Sequence, residues 1–308
     1  RVGAIKISNT PGGDGTAAFL HVARGGVLDR SDNKNELFPP PSYGSGTTVP
    51  MVEVRDSTKP TISVVVLNLG TGDIIMNVSE TVDQTPSTNV IFKSFVIRND
   101  SSSSSTQVIN ISDGGGTYSP YNQYTNIYND SASIVFKLSE NQRSTVLRWS
   151  GHEGGDGVAN MLYVQSGAFF DISSNYLDAV VAMPITELKD VIQPNIVRVT
   201  LNLMNGTLFV EFDEHIQTSA SSLWINTTRI FISNTSNITS LYSSRDIALT
   251  GATVRESGDT LIATIILTER QRVASIRVSG TPGGDSNAAL LTADEGAFFD
   301  ISENTQTS

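Results

Sequence analysis

Hydrophobic and polar residues alternate along most of this chain. In Leu208-Phe-Val-Glu-Phe-Asp-Glu214, positions 208, 210 and 212 share one face, and in Ile74-Ile-Met-Asn-Val-Ser-Glu80 the residues Ile74, Met76 and Val78 keep the same phase. A period of two is what a half-buried strand requires. The same reading predicts strands over Thr61–Leu69, Ile91–Ile97, Ser133–Leu138, Thr145–Trp149, Ile196–Leu203, Arg229–Ile232, Thr260–Leu267 and Ala274–Val278. Turns are predicted at Gly70–Asp73, Asn205-Gly206 and Glu256–Asp259, where Gly, Asn and Asp tolerate or stabilise the required backbone. Long helical periodicity is missing, and only Gln142–Leu147 has the character of a helical turn. Many short strands with regular turns predict an all-β chain built as antiparallel β-sandwiches.

The pattern also recurs on a larger scale. Gly12-Gly13-Asp14, Gly154-Gly155-Asp156 and Gly283-Gly284-Asp285 are each followed by a second acid, Asp29, Asp171 and Asp300, and then by Asn33, Asn175 and Asn304. Such recurrence marks tandem repeats. Pro60 and Pro194 open two copies 134 residues apart, and Glu80 and Glu214 keep that spacing. Further along, Glu140/Glu269 and Arg143/Arg272 are 129 residues apart. The difference falls in Asn99–Asn129, a Ser-, Gly- and Asn-rich segment that reads as an exposed variable loop. From Leu138 to Asn175, 20 of 38 residues match Leu267 to Asn304 without a gap.

Residues 1–59 match only the back half of a repeat, and Arg1 stands where Arg143 and Arg272 stand. The chain begins without Met, as a processed product or a portion of something longer would. Two expectations follow: a window on a longer array, or half-repeats completed by neighbouring chains.

Composition narrows the chemistry. With 308 residues, a net charge of −11 and a pI near 4.7, nucleic acid and anionic membranes are poor partners, whereas cations fit. Without Cys, thiolate metal sites and Cys nucleophiles are excluded, and repeats of about 130 residues bury a core without disulfides. No apolar run reaches the ~18–20 residues that span a bilayer.

The order Asp-x-x-x-Pro, a β-branched strand, Asn205-Gly-Thr-Leu-Phe-Val-Glu-Phe-Asp-Glu214 and later Gly296-Ala-Phe-Phe-Asp-Ile-Ser-x-Asn304 resembles the tandem Ig-like repeats of very large extracellular proteins of microbial eukaryotes. It is similar, more loosely, to bacterial Ig-like repeats that extend adhesins. The resemblance implies Ig-like units over 1–59 (a C-terminal half), 60–193 (complete) and 194–308 (lacking its last strand and linker). It also implies an extracellular or cell-surface stalk, fibre, flagellar hair or adhesion surface whose partners are copies of itself. The Gly-Gly-Asp loop and Phe38-Pro-Pro-Pro-Ser42 depart from the common pattern, and the resemblance supplies no catalytic residue.

Candidate sites have competing readings. Asn-x-Ser/Thr occurs at Asn77, Asn99, Asn110, Asn129, Asn205, Asn226, Asn234 and Asn237, all in the front parts of the two full repeats. They read as N-glycan acceptors on a secreted surface or as ordinary polar turn residues. Pro39-Pro40-Pro41-Ser42 reads as a stiff polyproline connector or as an O-glycosylated stretch. Asp14, Asp29, Asp156, Asp171, Asp285 and Asp300 supply oxygens for calcium, with Glu80/Glu214 or Glu140/Glu269 beside them at a junction. Equally, Gly-Gly-Asp makes a tight turn and Asp-x-Ser-x-Asn a capped one. Arg143 and Arg272 each follow a glutamate, as an internal or inter-repeat ion pair or as part of a solvated face.

Catalysis has little to stand on. His21, His152 and His215 occupy non-equivalent repeat positions, and Glu211 and Asp213 have Asn77 and Ser79 as counterparts. Trp149 and Trp224 read as core residues. The expected function is a structural subunit of a glycosylated extracellular filament or appendage, not an enzyme; the alternative is a calcium-dependent adhesin stalk, with calcium as its one cofactor.

Overall fold

The computed structural model describes all residues except 1, 21–24, 35–50, 101–105, 119–120, 123–126, 129, 219–223, 235–246, 256–257 and 307–308. Elements run α1 (Val2–Lys6), β1 (Ile62–Asn68), β2 (Asp73–Val82), β3 (Phe95–Arg98), β4 (Val108–Asn110), β5 (Thr117–Tyr118), β6 (Tyr121–Asn122), β7 (Ile127–Tyr128), β8 (Ser131–Lys137) and α2 (Glu140–Trp149). They continue with β9 (Met161–Val164), β10 (Val180–Pro184), β11 (Thr186–Leu188), β12 (Ile196–Asn202), β13 (Thr207–Ile216), β14 (Ile230–Ser233), β15 (Ile247–Ala248), β16 (Thr253–Val254), β17 (Thr260–Ile266), α3 (Glu269–Arg277) and β18 (Leu290–Ala293).

The fold is mostly strands in several antiparallel sheets with few helices. One sheet has the order β11-β1-β2-β8-β5, and a second has β10-β9-β3-β4. The same succession returns as β12-β13-β17-β16 and β15-β14-β18. All pairings are antiparallel except β1 with β11, where Val66 stands against Thr186 in a parallel register. Each pair of sheets encloses its own core. The first gathers Val65, Leu67, Ile74 and Met76 from one sheet with Phe95, Ile97 and Leu162 from the other. The second gathers Leu208, Val210 and Phe212 with Ile230 and Ile232. The alternating residues of β2 and β13 are those that point inward, as their period of two requires.

Two predicted strands are helices instead. Thr145–Trp149 lies in α2, and Ala274–Val278 lies in α3 and its C-terminal cap. Ser139 and Gln142 form a reciprocal capping box at the start of α2, as Thr268 and Gln271 do for α3. That satisfies two otherwise orphaned N–H groups and outweighs the weak helix propensity of Val146 and Thr145. Gln142 also sends its Nε2 to the carbonyls of Asn110 and Ile111, 3.1 Å each. Gln271 does the same to Ala248 and Thr250 at 2.9 and 3.0 Å.

Three further expectations shift. The segment read as a variable loop contains the short strands β4 to β7. Trp149 and Trp224 are half-buried, not core; Trp224 meets Phe299 edge-on at 5.7 Å. Polar indole edges favour such margins, where one side stays near water. The Pro39–Ser42 stretch and His21 lie outside the described residues.

A candidate cation centre at the repeat junctions

The junction is built from the motifs that recur. Gly12 has φ +88° and Gly154 has φ +85°. A Cβ on Gly12 would sit 1.7 Å from the carbonyl oxygen of Ile172, and one on Gly154 would sit 1.9 Å from that of Ile301. The first glycine of the first two Gly-Gly-Asp loops thus lies against the Asp-Ile-Ser loop of the following repeat, where no side chain fits. Ile301 carries its side chain into the core of the preceding repeat and is 2% exposed. Burying such a side chain contributes roughly 1.5–3 kcal/mol.

Charged contacts repeat in the same places. Lys6 Nζ meets Asp130 Oδ2 at 2.9 Å, and Arg148 grips Asp259 with two bonds of 2.7 Å. Asn175 Nδ2 donates to the Asp56 carbonyl at 3.3 Å, and Asn304 Nδ2 to that of Asp190 at 3.4 Å. Glu53 accepts from the backbone N–H of Asn9 and Ala18, as Glu187 accepts from those of Gly151 and Asn160.

At each junction three carboxylates converge. Asp56, Glu80 and Asp171 form one group and Asp190, Glu214 and Asp300 the other, each offering one oxygen within 4.8 Å of the rest. The linker before the proline supplies the first acid, the C-terminal part of β2 or β13 the second, and the Asp-Ile-Ser loop the third. The second group is buried throughout. Asp300 is fixed by Asn304, whose backbone N–H and Nδ2 donate to its two oxygens at 2.7 and 2.8 Å. Asp171 and Asn175 repeat that clasp at 2.8 and 2.9 Å.

Arg143 comes from the preceding repeat and is 5% exposed. Its Nη1 donates to Asp190 Oδ2 and its Nη2 to Glu214 Oε2, both at 2.8 Å, while Nε and Nη2 hold Glu140. It also donates to the Leu69 carbonyl at 2.9 Å. This is an inter-repeat bridge; the solvated-face reading fails for Arg143 because the next repeat covers it. Arg272 makes the equivalent bonds to Glu269 and the Leu203 carbonyl, but its side chain remains 24% exposed.

One guanidinium shared among Glu140, Asp190 and Glu214 cannot neutralise all three. Burial pushes the Glu214 carboxyl up to about 8, with Asp190 and Asp300 adding to the rise and Arg143 opposing it. Burial likewise raises Asp300 to about 6. Glu140 is held down at about 2: His215 and Arg143 bond its carboxylate and overcome the burial that would raise it. Burial disfavours the ion, whereas a hydrogen-bonded or cationic neighbour favours it.

Of the six aspartates expected to bind calcium, Asp171 and Asp300 join these groups, and the other four stand outside them. Asp14 accepts from the Thr16 N–H and hydroxyl at 2.9 and 2.6 Å. Asp156 accepts from the Val158 N–H at 2.9 Å and Asn99 Nδ2 at 2.7 Å. Asp285 takes the Asn287 N–H and Asn234 Nδ2. Asp29 repeats the Asn clasp with Asn33 in an exposed setting. Glu269 pairs with Arg272 on the surface. Asp56 and Asp190 were read only as linker residues; their 134-residue spacing, shared with Glu80 and Glu214, was the available signal.

The sequons divide too. Asn77, Asn110 and Asn205 are exposed, and Asn226 uses its Oδ1 to accept from the Thr228 N–H. Asn99 is buried with Nδ2, the atom a glycan would need, given to Asp156 and Gln107. Asn234 commits its Nδ2 to Asp285. In the folded chain these two are turn fasteners. Asn129 and Asn237 lie outside the described residues.

No family model matches the chain. No curated protein matches it either. Among solved structures it is similar at 10% identity to a marsupial T cell receptor, over 79% of this chain and 62% of that one, so the chain spans less than two thirds of the receptor's length. The TM-score is 0.16, a value that carries no argument about fold or function. No described helix is long and apolar enough to cross a membrane.

Proposed function

We propose that this chain is a structural spacer: Ig-like repeats joined head to tail in a glycosylated extracellular filament or appendage. What carries the reading is that the two junctions repeat several contacts at equivalent positions. Gly12 on Ile172 matches Gly154 on Ile301, and Lys6 with Asp130 matches Arg148 with Asp259. A joint that recurs with the same geometry sets the same angle each time, which builds reach and not a cleft. The exposed Asn77 and Asn205 are the acceptors that suit a secreted surface, whereas the exposed Asn110 gives its Nδ2 to Asp113 at 3.0 Å. The carboxylate groups favour a second reading, a stalk whose stiffness depends on calcium.

Because the chain has no cysteine, the spacer reading is open to a spin-label test. Labels at Asn77→Cys and Glu211→Cys occupy equivalent sites in successive repeats. The expected result is a single narrow distance distribution; a broad one means free hinging and removes the spacer role. Intact mass of protein from its native source, before and after deglycosylation, tests the secreted surface. A shift is expected, and no shift overturns that part.

A further inference from the structure

We propose that Asp190, Glu214 and Asp300 bind one calcium ion at the joint between repeats. The inference rests on the spacer reading and gives that joint a ligand.

Geometry comes first. Three oxygens within 4.8 Å of one another can lie on one ion, since calcium holds its ligands at ~2.3–2.6 Å and two opposed ligands are then about 4.8 Å apart. The independent observation is an orphaned atom. Glu214 is 6% exposed, and its Oε1 has no hydrogen-bond partner among the described residues, while Oε2 is taken by Arg143. A buried acceptor left without a donor is costly, more so when charged, so a retained one in a charged group points to an occupant.

Charge identifies that occupant. Asp190 and Glu214 touch the Arg143 guanidinium, but Asp300 makes no bond to it. With Glu140 on the same guanidinium, four carboxylates gather around one arginine and leave a buried excess of negative charge when they ionise. A divalent cation offsets that excess. All the donors are carboxylate oxygens, with no His or Cys in either group, and that set suits a hard ion over zinc or copper. Water and carbonyls would fill out the six to eight ligands calcium takes, and three carboxylates at one site suit calcium over magnesium, which dehydrates reluctantly and is usually held by one or two.

The consequence is mechanical. Asp190 belongs to the linker, Glu214 to β13 and Asp300 to the loop that carries Ile301 into the preceding core. One ion would tie linker, strand and loop together beside an arginine of the previous repeat.

Calcium chloride titrated calorimetrically into the chelator-treated chain should bind at about one equivalent and raise Tm. Glu214→Gln is expected to lose that equivalent, and the Tm rise with it. Glutamine keeps the shape and an acceptor, so Glu214→Gln should melt in chelator at or above the unmodified chain. Magnesium should leave Tm unchanged. Absence of calcium binding, undiminished binding in Glu214→Gln, or an equal response to magnesium would overturn the assignment. The spin-label distribution separates the two proposals. Calcium binding with a broad distribution in both calcium and chelator retains the site and removes the spacer. A narrow distribution without calcium binding retains the spacer and removes the site.

Discussion

Arg143 and Arg272 share one sequence context, follow a glutamate by three residues and bond the same class of carbonyl. Only Arg143 is covered by a following repeat. Breaking a buried pair strands the partner charges, at roughly 3–5 kcal/mol, so Arg143→Met should lower stability on that scale in urea unfolding. Arg272→Met should leave the midpoint unchanged, because its partner Glu269 is solvated. If both variants behave alike, Arg143 is not the joint's counter-charge. The same cluster predicts a pH dependence without calcium. Glu214 faces Arg143, Asp190 and Asp300, with Glu140 and His215 beside them; its folded value of about 8 exceeds the ordinary 4.5. The folded state therefore holds a proton that the unfolded state has lost, and stability falls as pH rises from about 5 to 8. Glu140 runs the other way, adding stability above pH 4.5 that is lost towards pH 2. Asp300, raised to about 6, adds to the decline, so melting in chelator should peak near pH 4 to 4.5, and Glu214→Gln should flatten the decline on the alkaline side; an unchanged slope would assign it to another group.

At the scale of elements, the Gly-Gly-Asp loop does two jobs that the motif alone did not separate. Its second glycine lies under the end of its own helix, where a Cβ on Gly155 would meet the Ser150 carbonyl at 2.1 Å. Its first glycine serves the neighbour. Gly283, the third copy, has φ +94° but only the Ile276 side chain within reach, at 3.6 Å. Gly283→Ala should thus lose only the ~1–2 kcal/mol of a left-handed backbone. Gly154→Ala adds a backbone collision and should open the joint, seen as a broadened spin-label distribution with the sheets intact by circular dichroism. Equal effects of the two would deny the loop a junction role. The strands were legible because alternation is a local property: β1, β2, β12 and β13 fall within a few residues of the predicted spans. α2 was legible only as the turn read at Gln142–Leu147 and α3 was hidden, because Val146, Leu147 and Ile276 suit either element. The Ser139–Gln142 and Thr268–Gln271 boxes were the available clue.

Across the whole molecule, the repeat is a unit that finishes its core with a residue from the next one. Ile301 sits among Val146, Leu147 and the other residues of the first core, so neighbouring repeats share burial and not only a linker. That arrangement couples their stabilities, as nearest-neighbour terms do in other repeat arrays. The chain by itself determined the strand phases, the recurrence of about 130 residues, the excess of acid and the identity of every motif residue, because each depends on spacing along the backbone. Which acids meet was decided only by the tertiary structure. Asp190, Glu214 and Asp300 lie far apart in sequence and come together through strand register and the packing of one repeat on another. Asp156 and Asp285, equally constant in sequence, fold into local turns because their hydrogen-bond partners lie within their own repeat.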